Sequence, residues 1–154
     1  GMYEYKAKIL KVIDGDTVDV DIDLGFGVIL TDERVRMMGI DTPESRTRDK
    51  VEKTFGLASK ARLIEILGED TILQTQINKD GEDMKGKFGR ILGDFQIEVD
   101  GETKLATQML VEEGHAVPYF GGSKDDIYVQ HLVYMIRLID EEVVIMSYDM
   151  AGVE

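Results

Sequence analysis

The order of elements written into this chain predicts an α+β domain: three strands, a helix, two more strands, then two further helices. Three observations carry that expectation. Apolar and charged residues alternate strictly near the start, Asp-Gly and Pro punctuate the middle, and apolar residues fall at helical spacing in three stretches. At 154 residues with 43% hydrophobic and 32% charged content, the chain is expected to form one globular domain over residues 2–154.

Residues 3–13 are rich in aromatic and branched side chains and read as the first strand. Asp-Gly-Asp at 14–16 supplies a turn. In TVDVDIDL, residues 17–24, Val18, Val20, Ile22 and Leu24 share one face while Asp19, Asp21 and Asp23 share the other. A half-buried strand needs such a wet face. Asp-x-Asp-x-Asp could instead begin a calcium loop, but that loop needs Gly at its sixth position and an acid at its twelfth. Leu24 and Leu30 stand there, so the three carboxylates are read as solvated.

GFGVILTDE reads as a loop or ragged extension, and RVRMMGI, residues 34–40, as the third strand. Pro43 breaks the chain, and ESRTRDKVEKT reads as an exposed loop. A helix is expected over 55–67 with Leu57, Ala61, Ile64 and Leu67 on its buried side. TILQTQI is the fourth strand, NKDGEDMKGK a polar loop, FGRILGDFQI the fifth strand, and VDGE a hairpin turn. Helices are expected over 105–113 and 125–140, and the last dozen residues have no assigned element. One closure this order permits is a small five-stranded Greek-key barrel of the OB type with about three helices; other α+β sheets stay open.

The chain carries 31 acidic against 18 basic residues, a formal charge of −13, which argues against tight binding to polyanions. The distribution is uneven. Residues 32–62 hold eight Lys or Arg against six acids, and residues 85–90 add three cations with no acid. Zero cysteines exclude disulfides, thiolate metal sites and cysteine nucleophiles. No apolar run is long enough to span a bilayer and no signal-like segment opens the chain, so an intracellular protein is expected.

Three pieces carry chemistry together: DGDT at 14–17, RVRMMGIDTPE at 34–44 and KGKFGR at 85–90. They supply carboxylates beside a turn, carboxylates beside a rigid proline, and isolated arginines. Hard oxygen ligands suit Ca²⁺ or Mg²⁺. Phosphodiester cleavage needs such a cation, a base for water, and guanidinium donors for growing charge.

At these residues, and at VEK, AS, LVEEGHA and QHL, the sequence closely resembles the staphylococcal nuclease (thermonuclease) family, from Ile9 to about Leu138. The resemblance implies an OB-fold barrel and Ca²⁺-dependent hydrolysis of DNA or RNA leaving 3′-phosphates; the hard oxygen donors also admit Mg²⁺ or another divalent ion. Carried over by motif, Asp16 and Asp41 are the metal carboxylates, Thr42 gives its backbone carbonyl, and Asp14 stands just outside. Glu44 corresponds to the general base, Arg36 and Arg90 to the phosphate-gripping arginines. Lys87 and Phe88 match a phosphate-contacting Lys-Tyr pair, with a hydroxyl lost. Tyr119 or Phe120 would stack on a base.

Some residues tempt without support. His115 and His131 receive no catalytic part from the resemblance and are read as structural. Glu102 and Lys104 fit half of a Mg²⁺ restriction-type site, but they adjoin a strong hairpin turn. The run over 127–139 is apolar on more than one face; a monomer with that run in its core is expected, with a homodimer contact as the second reading. An alternative to the nuclease is an OB module that holds nucleic acid or protein without cutting.

Overall fold

The computed structural model describes residues 2–76 and 89–146. Lys87 and Phe88, and the polar loop before them, lie outside the described residues. Strands β1 (Met2–Asp14), β2 (Thr17–Asp23) and β3 (Ile29–Met37) form an antiparallel meander. After a two-residue strand β4 (Ile40–Asp41) and helix α1 (Lys50–Leu67) come β5 (Asp70–Gln76) and β6 (Ile91–Val99). β5 pairs with β1, β6 pairs with β5, and β6 then runs parallel to the end of β3, Val35 facing Ile91. That last ladder closes a five-stranded mixed barrel, the α+β class expected from the element order and the OB-type closure that the resemblance implied.

The alternation in β2 is decisive for the core. Val18 and Val20 are fully buried and Ile22 nearly so, among Val35, Met37, Leu73 and Phe95 of the barrel and Leu63, Ala106 and Leu110 of the helices. Leu24, grouped with that face in sequence, is exposed because the strand ends at Asp23. The aspartates of the outer face each have a local task. Asp19 holds Arg34 through two bonds of 2.8 and 3.1 Å. Asp21 accepts from the Asp32 amide and Asp23 from the Gly25 amide, both at 2.8 Å. They brace the β2–β3 hairpin.

Three expectations for residues 25–67 need correction. The third strand starts at Ile29, because a tight turn through Gly25 and Gly27 carries GFGVILTDE directly into the β2–β3 ladder. Helix α1 starts at Lys50: Asp49 accepts from the amides of Val51 and Glu52 at 3.0 and 3.1 Å, so the charged segment is a capped, solvated first turn. Its buried side is Phe55, Gly56, Ser59, Leu63 and Leu67, while Leu57, Ala61 and Ile64 are exposed. Hydropathy misses this stripe because two of its five residues, Gly56 and Ser59, are small and carry no apolar signal. Gly56 lies so close to the preceding loop that a Cβ would meet the Glu44 carbonyl oxygen at 2.3 Å. Ser59 donates to the His115 carbonyl at 2.7 Å.

The hairpin turn at Asp100-Gly101 leads into β7 (Glu102–Leu105), then α2 (Ala106–Glu112). Asp94 ties that junction to the barrel, accepting from the amides of Phe95 and Thr107 and from the Thr107 hydroxyl. A second short strand, β8 (Val117–Pro118), pairs with β4. A 3-10 turn (Lys124–Ile127) leads into α3 (Tyr128–Asp140), which therefore begins later than the helix expected from 125. Leu138 and Val144 bury against Phe55, but Val129, Leu132, Val133 and Ile136 are exposed. Most of the apolar run is thus surface, not core. Among the described residues no helix is long and apolar enough to cross a membrane.

Candidate active site

The site grows from the closing corner of the barrel. Thr17 of β2 pairs with Arg36 of β3, and the Met37 amide donates to the Asp16 carbonyl at 2.8 Å. The chain then turns through Gly39, at φ +77°, into β4. Arg36 folds back over that turn, donating to the carbonyls of Met37 at 2.6 Å and Ile40 at 2.9 Å. Its Nη2 also stands 3.4 Å from Asp16 Oδ2 and 3.8 Å from Asp41 Oδ1. One guanidinium therefore shapes the turn and bridges two acids far apart in sequence.

Asp16 and Asp41 are both buried as residues. With Asp14, Thr17, Arg36, Thr42, Pro43, Glu44, Arg90 and Lys124 they line one cleft of about 170 Å³. Thr42 is buried and its hydroxyl has no hydrogen-bond partner. Glu44 is exposed, and its amide donates to Glu52 Oε2 at 3.1 Å. Asp14 accepts from both the amide and the hydroxyl of Ser45. It fastens the loop that carries Glu44. Tyr119 donates through its hydroxyl to the Gly122 carbonyl at 2.7 Å, and Phe120 lies exposed over Gly39. Neither lines the cleft. Glu102 and Lys104 lie on β7, with Lys104 directed 3.7 Å from Glu112, also away from the cleft.

Two residues without an expected role here join Asp41. His131 Nε2 lies 2.9 Å from Asp41 Oδ2, and Lys124 Nζ lies 3.1 Å from Oδ1. An ionised carboxylate only accepts, so Nε2 carries the proton. Burial alone would raise the Asp41 carboxyl; hydrogen bonds and charge from His131 and Lys124 outweigh it and hold it below the usual carboxylate range. Burial would likewise lower the Lys124 ammonium, but its bond to Asp41 raises it. The QHL motif contained His131 without assigning it a task, and nothing local marked Lys124.

The donor set suits a hard cation: two carboxylates, an unpartnered hydroxyl, and carbonyls at the same corner. Among the described residues no three His, Cys, Asp or Glu side chains form a ready-made cage. An ion held here would need carbonyls and water to complete its shell.

The profile of the family described as "Staphylococcal nuclease homologue" matches residues 34–135. The chain belongs to this family. The matched span includes Arg36, Asp41, Thr42, Glu44 and Arg90, and begins after Asp14 and Asp16, which the barrel brings to the same cleft. A nuclease-type domain acting on nucleic acid is the activity this membership suggests. No curated protein matches the chain.

Proposed function

We propose that this chain is a calcium-dependent phosphodiester hydrolase that cleaves DNA or RNA and leaves 3′-phosphates. The observation that carries the reading is the convergence of Asp16, Asp41, Glu44, Arg36 and Arg90 on one cleft. Asp16 and Asp41, with the Thr42 carbonyl, hold Ca²⁺, or Mg²⁺ in its place. When bound, the cation supplies charge neutralisation for the phosphoryl oxygens. Asp14 stays outside that shell and fixes the loop.

Glu44 at the exposed edge takes a proton from water. The water oxygen bonds to phosphorus and the bond to the 5′ oxygen breaks; that oxygen takes a proton from solvent water, so the products are a 5′-hydroxyl and a 3′-phosphate. Arg36 and Arg90 donate N–H groups to the non-bridging oxygens, where charge accumulates most in the transition state. Lys87 and Phe88 would contact a neighbouring phosphate, and Tyr119 or Phe120 would stack on a base. The active unit is the monomer, and the apolar face of α3 is where a second copy would pack.

One observation favours the non-cutting alternative: Arg36 already satisfies two backbone carbonyls, which limits what it can offer a phosphate. A digestion assay decides. Purified chain with single- and double-stranded DNA and RNA should cut in Ca²⁺ and stop in EDTA, and Glu44→Gln and Arg36→Ala should each lose about 10²-fold or more. No cutting of any substrate with any divalent ion would leave the binding module.

A further inference from the structure

Lys124 is placed differently from the other partners of Asp41. Arg36 is held by two carbonyls, and His131 is built into α3, whereas the Lys124 side chain is 64% exposed and reaches inward to a carboxylate only 9% exposed. It opens a short 3-10 turn capped by Ser123. Just before it stand Gly121 and Gly122, both at positive φ of 100° and 89°, a conformation that side chains other than glycine resist. Lys124 can therefore leave Asp41 by rotating its own side chain, without breaking a backbone hydrogen bond of the turn.

An ammonium and a divalent cation cannot share one carboxylate oxygen at contact distance, because like charges in a half-buried cleft repel strongly. We propose that Lys124 is an exchangeable counter-ion of Asp41, covering the carboxylate while no divalent cation is bound and turning toward a substrate phosphate when one binds. This rests on the metal-dependent reading above. Lys124 lines both the cleft and the adjoining groove between the 41–52 segment and α3, so the displaced ammonium stays at the mouth where a phosphodiester would enter. Neutralising Asp41 in this way stabilises a buried carboxylate before the ion arrives. It also weakens the ion's affinity, since each binding event must displace the lysine.

Calorimetric titration of the full chain with CaCl₂ alone tests this without reference to turnover. Lys124→Met should bind Ca²⁺ about three- to tenfold more tightly than the unaltered chain, while Lys124→Arg, which keeps the charge, stays near it. Damage to the site would weaken binding, so tightening is not a structural artefact. Arg46→Gln, which removes an exposed cation from the nearby loop, controls for the general field and should leave affinity unchanged. With Ca²⁺ saturating, Lys124→Met should bind a nucleoside 5′-monophosphate less tightly. Unchanged or weaker Ca²⁺ binding in Lys124→Met, or equal tightening in Arg46→Gln, overturns the exchange while leaving the nuclease reading intact. If neither the unaltered chain nor any variant takes up a divalent ion, both fall together.

Discussion

His131 and Asp41, ninety positions apart, meet at 2.9 Å between Nε2 and Oδ2. This bond joins α3 to the two-residue strand β4 at the barrel corner and orients one of the two proposed carboxylate ligands. Losing such an outer partner commonly costs about 10- to 100-fold in metal affinity or activity. His131→Ala should therefore fold normally, with Ca²⁺ affinity and turnover reduced in that range. An unaltered calcium titration would assign the bond to packing alone.

Gly56 permits α1 to touch the loop that carries Glu44. In a helix interior glycine is disfavoured against alanine by roughly 0.5–1 kcal/mol, yet here a Cβ would strike the Glu44 carbonyl carbon at 2.4 Å and the Ser45 nitrogen at 2.6 Å. Gly56→Ala should destabilise the chain by about 1–3 kcal/mol by overpacking, and move the Glu44 carboxylate. Urea unfolding and cleavage rate together check it. A stabilised variant with full activity would contradict the close approach.

Burial pushes His115 below its ordinary value near 6.5, against the opposing pull of the Glu113 carboxylate. The folded chain thus keeps this ring neutral at a pH where the unfolded chain already protonates it. The corresponding stability is present above about 6.5 and is lost as pH falls from there toward the folded pKa. The urea midpoint of the unaltered chain should drop between pH 7.5 and 5 more steeply than that of His115→Gln. Parallel curves would refute the assignment.

Burial also moves Asp94, upward in this case, despite hydrogen bonds from Thr107 and Phe95. A raised carboxyl binds its proton more tightly when folded, so its contribution is present at low pH and is lost as pH rises through the folded pKa. Asp94→Asn keeps an acceptor for both amides and cannot ionise. Its stability relative to the unaltered chain should improve as pH climbs from 4 to 7, measured by thermal unfolding.

With −13 net charge, attraction to nucleic acid depends on a few local cations. If Arg36, Arg90 and Lys124 neutralise about two to three phosphates, the logarithm of affinity should fall with that of salt at a slope of roughly −2 to −3 for duplex DNA. Fluorescence anisotropy in Ca²⁺ with Glu44→Gln, from 25 to 300 mM KCl, measures the slope. A slope near zero would show that these cations do not touch the backbone.

Much of the barrel was legible because each strand carries its own signal. The period-two alternation of β2 predicted which side is buried, and the Asp-Gly turn into β7 appeared where its dihedral demand placed it. Helix α1 was less legible. Its capping Asp49 lies in a charged run that also suits a loop, and its buried Gly56 and Ser59 carry no hydropathy signal. The site divided the same way. Asp16, Asp41, Glu44 and Arg90 stand in motifs, whereas Lys124 sits in an undistinguished GGSKDD segment.

The sequence by itself determined the order of elements, the apolar face of the central strand and the family, because those properties are written in local spacing and in motifs. Only the tertiary structure decided that Arg36 spans Asp16 and Asp41, and that His131 and Lys124 reach the same carboxylate. The reason is physical. A buried charge must be compensated by whatever donors closure brings near it, and closure joins β3 to β6 and sets α3 beside β8, through contacts that no short stretch of sequence encodes.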